Sequence, residues 1–177
     1  MKARIEVAEG DLAATPADAV VCASPEPAGA SGGAAEGPGG GASGSGEAPR
    51  PRASAAGVVV EPAGSLPARF VIRVAVAGEG GEVTEQAVRA AFRAALGVAR
   101  EHGFASLAVG ALGAGPGGLS LRRSAEVLLE ETRRHLSEGG PPESIRFVVP
   151  GEQALRIFEG VHDSVRIAEQ MERLGRR

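Results

Sequence analysis

The chain has 177 residues, with 19 basic and 22 acidic side chains and a formal net charge of −3. That length suits one domain with its own core. The negative balance, an aromatic content of 3% and the lack of Trp and Tyr argue against a nucleic-acid partner, which needs excess cations and stacking rings.

Met1 to Val7 enters directly on a strand pattern, with no signal peptide and no long apolar run. A soluble, cytoplasmic protein with no membrane attachment is expected. Arg4 to Ala8 alternates as a strand, and Gly10-Asp11-Leu12 turns. Ala19 to Ala23 is a short buried strand. Pro25 to Ala56 is nearly all Gly, Ala, Ser and Pro. It lacks the large apolar residues that offset ordering entropy, so a flexible segment is expected. Val58-Val59-Val60 and Arg69 to Val76 read as strands around a turn at Pro62-Ala63-Gly64. Val83 to His102 is helical, with Val88, Phe92, Ala95, Leu96 and Ala99 on one face and Gly103 as the stop.

Ser106 to Ala111 is an apolar strand, and the Gly-rich run Leu112-Gly113-Ala114-Gly115-Pro116-Gly117-Gly118 follows it. Ser120 can cap the next helix, whose buried face carries Leu121, Ala125, Leu128 and Leu136. Gly139-Gly140-Pro141-Pro142 ends that helix, and Ile145 to Val149 is a further strand. Gly151 to Phe158 is a short helix that Gly160 should terminate. Val161, Val165, Ala168, Met171 and Leu174 then form a separate helical stripe, with Asp163 as a possible cap. The expected units are residues 1–160 and a tail, 161–177, that packs on its own domain or serves self-association. The β-rich first half and βαβα second half predict a three-layer α/β/α sandwich with a mixed sheet.

Strand, Gly-rich loop and helix make a phosphate cradle. Glycines admit an anion close to the backbone, and the helix start adds N–H donors and partial positive charge. No Lys follows the loop, so it is not a Walker loop. Gly113-x-Gly115-x-x-Gly118 matches the dinucleotide spacing, but the acids near the required distance, Glu130 and Glu131, fall inside a predicted helix. The loop holds no acid, base or nucleophile.

Several segments in order decide the family. Gly10-Asp11-Leu12 with Ala17-Asp18-Ala19-Val20-Val21, Pro62 to Arg73, Ser106 to Leu119, and Phe147 to Val149 with Leu155 to Phe158 resemble macrodomain segments. The resemblance spans Ile5 to Phe158 and implies an ADP-ribose site. It implies that Asp11 accepts from the adenine amino group, with Leu12 against the ring. Leu112, Gly113, Ala114, Gly115, Pro116, Gly117 and Gly118 would embrace the pyrophosphate and distal ribose. Ser31, Gly32 and Gly33 resemble the remnant of a second Gly-rich loop. The implied partners are ADP-ribose or a related ADP-containing nucleotide, and ADP-ribosylated protein; no separate cofactor is implied.

The chain departs from the family at the reactive end. Val21-Cys22-Ala23-Ser24-Pro25 stands where the family reads V-N-A-A-N, so both asparagines are absent. Arg73 replaces a usual His, and Ala114 a usual Thr. Losing one neutral hydrogen bond costs about 0.5–1.5 kcal/mol, whereas losing the group that positions water costs about 10²–10⁴ in rate. Catalysis is therefore more exposed to these losses than binding, and a degenerate, non-catalytic member is expected. Three readings stay open: a nucleotide-binding module, an ADP-ribosyl hydrolase or O-acetyl-ADP-ribose deacetylase, and a non-binding structural module.

Other candidates read as structure. Lone Cys22 excludes an internal disulfide and suits a small core residue. His102 and His135 sit at helix C-termini, where the dipole favours a cation, and His162 begins the tail. No histidine is spaced with a second ligand, so no metal site is expected. Glu26, Glu36, Glu47, Arg50 and Arg52 are solvated loop charges.

Overall fold

The computed structural model describes residues 4–24, 52–54, 57–78 and 80–175. Among these residues, seven strands form one sheet in the order β1-β7-β6-β2-β5-β4-β3. They are β1 (Arg4–Glu9), β2 (Ala19–Ser24), β3 (Arg52–Ser54), β4 (Val58–Pro62), β5 (Phe70–Ala75), β6 (Ser106–Val109) and β7 (Ser144–Val149). The helices are α1 (Glu85–Glu101), α2 (Leu121–Glu138) and α3 (Glu152–Gly175), and Leu12–Ala14 form one 3₁₀ turn. β1, β7, β6, β2 and β5 are mutually parallel, while β4 and β3 run antiparallel at the edge. This is the mixed sheet with helices expected from the sequence.

The connections β5-α1-β6 and β6-α2-β7 both step toward β1. Right-handed crossovers that step the same way place their helices on the same face. On that face Ile72, Val74, Leu107, Val109, Ile145, Phe147 and Val149 join Phe92 of α1, Leu128 of α2 and Phe158 of α3 in one cluster. Phe147 is the hub: its ring lies 6.4 Å from Phe92 and 5.8 Å from Phe158. Each such buried side chain is worth about 1.5–3 kcal/mol. On the opposite face Val20, Val71, Ala108 and Val148 are covered, among the described residues, by Leu12, Ala63, Leu66 and Ala68.

The helix starts are specified locally. Thr84 Oγ1 accepts from Ala87 N at 3.2 Å, and Ser120 Oγ accepts from Arg123 N at 3.2 Å. Gly103, at φ +68, follows α1 as the expected stop. Asp18 fastens β2 to β6 at their amino ends. Its Oδ2 accepts from Ala105 N and Ser106 N at 2.8 and 3.1 Å, and its own N–H donates to Ser106 Oγ at 3.0 Å.

Three expectations are corrected. First, most of Pro25 to Ala56 lies outside the described residues, but Arg52–Ser54 form β3. It pairs with Val58–Val60, and ladder hydrogen bonds form whatever the side chains are. Second, Gly160 does not end a helix: α3 runs unbroken from Glu152 to Gly175, across the expected boundary at residue 160. A mid-helix Gly costs about 1 kcal/mol relative to Ala, less than the burial of Phe158 and Val161 on either side returns. Third, His135 is buried rather than a cation at a helix end. Its Nε2 lies 3.2 Å from Pro141 O, and burial, reinforced by Arg100, holds its pKa below the ordinary value.

Two measurements follow. A Cβ on Gly160 would meet nothing within 4 Å, so Gly160→Ala should raise the unfolding free energy by about 1 kcal/mol, read as a higher urea midpoint. His162, like His135, has its pKa lowered, by burial and then Arg133. A base with a depressed folded pKa binds more protons when unfolded, where its pKa is about 6.5. Its stabilisation is complete above that value and is lost as the pH falls through the folded pKa. The urea midpoint should therefore fall between pH 7.5 and 5.5; an unchanged midpoint would refute the burial of these rings.

Candidate functional site

The five parallel strands send their carboxyl ends to one side of the molecule. From β6 the chain moves toward β1, whereas from β2 it next joins the sheet on the β5 side. Adjacent strands whose continuations diverge leave a crevice beyond their carboxyl ends, where α/β sheets bind ligands. The Gly-rich loop that follows β6 lies there.

Internal hydrogen bonds shape that loop. Leu119 N donates to Gly113 O at 2.8 Å, Gly118 N to Gly115 O at 3.0 Å, and Gly115 N to Leu119 O at 3.4 Å. Leu112 N donates to Gly110 O at 2.9 Å and Ala114 N to Ala111 O at 3.3 Å. These bonds occupy five amides. Among the described residues, the amides of Ala111, Gly113 and Gly117 form no such bond. Two glycines are obligatory. A Cβ on Gly113, at φ +73, would lie 2.3 Å from Val88 Cγ2, and one on Gly118 would lie 2.4 Å from Gly113 O. Ser124, fully buried, donates from Oγ to Leu112 O at 2.7 Å and fixes the loop to α2.

Beside the loop is an open cavity of about 620 Å³, within the range of small-molecule sites. The loop side is Ala111, Ala114, Gly115 and Leu119; the first turns of α2 and α3 add Ser120, Leu121, Pro150 and Ala154. Two helix N-termini thus border one space, each carrying partial positive charge. Among the described residues, no acid, base or thiol lines the cavity, and its helix starts and apolar walls suit an anionic ligand with apolar parts.

The expected ligand residues divide into several groups. Ala114 and Gly115 line the cavity. Pro116, Gly117 and Gly118 are exposed on the same loop. Leu112 is only 2% exposed and packs in the core, with both backbone polar groups bonded internally. Asp11 and Leu12 lie on the loop after β1. Asp11 is exposed and its Oδ1 accepts from Ala13 N at 2.9 Å, capping the 3₁₀ turn. Leu12 leans toward the β6 end: its Cδ2 would be 3.2 Å from a Cβ on Gly110. Ser31, Gly32 and Gly33 lie outside the described residues. Sequence reasoning missed Pro150 and Ala154, although a Pro-Gly pair between a strand and a helix was a usable signal.

The departures from the family pattern have structural partners. Arg73 forms an ion pair with Glu61 of the neighbouring strand, which raises its pKa. Cys22 is half-buried beside it. Burial pushes the thiol up, with Arg73 opposing, so it behaves as a packing residue rather than a thiolate. Among the described residues no group of three His, Cys, Asp or Glu stands close enough to hold a metal ion, and no helix is long and apolar enough to cross a membrane.

The architecture, a mixed sheet with a crevice beyond β6 and β2, is that of the macrodomain fold. Over 93% of this chain and 93% of that one, it superposes on a substituted form of the Oceanobacillus iheyensis macrodomain with a TM-score of 0.69 at 17% identity. The Trypanosoma brucei macrodomain in complex with ADP matches 89% of this chain and 68% of its own, with a TM-score of 0.66 at 22% identity. The same macrodomain in complex with ADP-ribose matches 58% and 44%, with a TM-score of 0.52 at 26% identity. Residues 46–128 match the family model described as Macro domain, which agrees with the fold of the solved macrodomains. An uncharacterized protein of Mycobacterium tuberculosis is 38% identical over 96 residues, which cover 54% of this chain but only 26% of that relative.

Proposed function

We propose that this chain binds ADP-ribose or a related ADP-containing nucleotide beyond the carboxyl ends of β6 and β2, without efficient catalysis. The observation that carries this reading is the 620 Å³ cavity between the Gly-rich loop and two helix starts, with no titratable side chain among the described residues of its lining. The diphosphate would meet the loop amides and both helix N-termini. The adenine would lie toward Asp11 and Leu12. The T. brucei macrodomain complexes with ADP and ADP-ribose support the ligand class. Ala23-Ser24 followed by Pro25 offers no amide side chain to orient a distal ribose, which supports binding over hydrolysis. ADP-ribosylated protein as a partner and a cytoplasmic location belong to the same proposal.

Calorimetric titration with ADP-ribose tests it. The expected affinity is micromolar or weaker. Asp11→Ala should weaken it by about 10- to 150-fold, the value of a hydrogen bond to a charged acceptor. Loss of the cap should cost no more than about 2 kcal/mol of stability. Asp11→Asn preserves the cap, so it separates ligand loss from turn loss. No heat and no amide shift at millimolar ADP-ribose would leave a non-binding structural module as the reading.

A further inference from the structure

Beyond Val161, the last buried residue of α3, the helix leaves the core. Val165 still packs on the core, but every residue from Arg166 to Gly175 is exposed. From α2, Arg133 reaches across to this segment. Its side chain is only 14% exposed; Nη1 pairs with Glu169 at 2.7 Å, and Nη2 donates to His162 O at 3.2 Å. Arg133 Nε and His162 Nδ1 are both buried, and among the described residues neither has a hydrogen-bond partner. The first is a donor. The second accepts only while it carries no proton. A ring with Nδ1 unprotonated therefore suits this site, where one bridging water would satisfy both atoms. A protonated ring sets donor against donor and cation against cation.

We infer that Arg133 and His162 form a proton-sensitive clamp, which holds the last turns of α3 against α2 and opens when the ring is protonated. The clamp is separate from the nucleotide site, because Arg133 lies roughly 20 Å along α2 from the Gly-rich loop. Only a group that acts differently on the closed and open states can bias them. Glu159 and Asp163 favour the imidazolium and Arg166 opposes it, but all three lie within four residues of the ring on α3 and stay near it. β1, which also packs on α3, keeps Arg4 and Glu6 in pairs with each other and with Arg146. Burial and Arg133 act in the closed state, and both oppose the proton. The folded ring thus titrates below its ordinary value of about 6.5. The closed state is fully favoured above that value and gives way as the pH falls through the folded one.

NMR of the full chain between about pH 7.5 and 5 tests the clamp. In wild type the His162 ring should titrate below about pH 6.5. The amide heteronuclear NOEs of residues 166–174 should fall with the same midpoint, while those of α2 stay constant. His162→Gln keeps an acceptor for Arg133 and gains no proton, so its NOEs should hold at the wild-type pH 7.5 level throughout. His135 titrates in both proteins, so this comparison removes its contribution. Arg133→Gln takes away the opposing cation. Its NOEs should be low at every pH, and its His162 midpoint should move up toward about 6.5. A wild-type midpoint at or above that value would overturn the inference without any variant. NOEs that ignore pH, or that fall equally in His162→Gln, would overturn it as well. Low NOEs in His162→Gln already at pH 7.5 would also overturn it, because ring packing rather than charge would then hold the segment.

Discussion

Gly118→Ala should lower ADP-ribose affinity by about 100-fold or more while the sheet stays folded. The added Cβ would lie 2.4 Å from Gly113 O, closer than a backbone oxygen allows. Gly113 has little room to yield, because Val88 Cγ2 occupies the place of its own missing Cβ at 2.3 Å. The loop must therefore open, and the 2.8 Å bond from Leu119 N to Gly113 O breaks. The neutral amide donors that the loop presents would lose alignment together. Three such bonds at about 1 kcal/mol each correspond to roughly 100-fold. The helix that follows keeps its Ser120 cap and its buried Ser124 anchor, so the urea midpoint should fall only by an amount equivalent to about 1–3 kcal/mol. Gly117→Ala is the control. Unlike Gly118 it sits at positive φ, +76, but a Cβ there meets nothing within 4 Å, so it brings backbone strain of about 1–2 kcal/mol without the collision. Wild-type affinity in Gly118→Ala would mean that the loop is not the phosphate site.

The parts of this fold that were legible in the sequence are those fixed by local pattern. The period of Val88, Phe92, Ala95 and Ala99 placed α1 at Val83 to His102, within two residues of its bounds, with Gly103 as the stop. The Gly-rich loop stood out because its glycines answer backbone demands, two of them steric. What the sequence hid depended on distant neighbours. β3 carries no strand pattern and exists by pairing with β4. The continuity of α3 through Gly160 comes from the burial of Phe158 and Val161, which no helix propensity records. Pro150 and Ala154 reach the cavity because β6 and β7 are parallel neighbours, although more than thirty residues separate them from the loop. Leu112, which the motif match groups with the ligand loop, packs its side chain in the core, and that burial too depends on distant neighbours.

The largest stability loss from a single polar side chain should come from Glu131→Ala, at about 3 kcal/mol. Glu131 is 2% exposed, yet it is the common partner of two arginines. It accepts from Arg89 Nη1 at 2.7 Å and from Arg93 Nε and Nη2 at 2.5 and 2.9 Å. These bonds cross-link α1 to α2, the two helices that follow β5 and β6. Removing one partner of a buried pair costs about 3–5 kcal/mol. The lower end applies here, because Arg93 is half-exposed and Arg89 keeps Glu85 and Glu130. Burial alone would raise the carboxyl pKa; Arg93 and Arg89 overcome it and hold the group below its ordinary value. For an acid with a depressed folded pKa, the stabilisation is complete above the unfolded value of about 4.3 and is lost as the pH falls through the folded value. Urea midpoints of wild type and Glu131→Ala should therefore be well separated at pH 7 and draw together as the pH drops below the carboxylate range. Glu131→Gln keeps the shape and loses the charge, so it should fall between the two at pH 7. A gap that stays constant down to pH 3 would mean that Glu131 acts through packing alone and that the helix cross-link is not electrostatic.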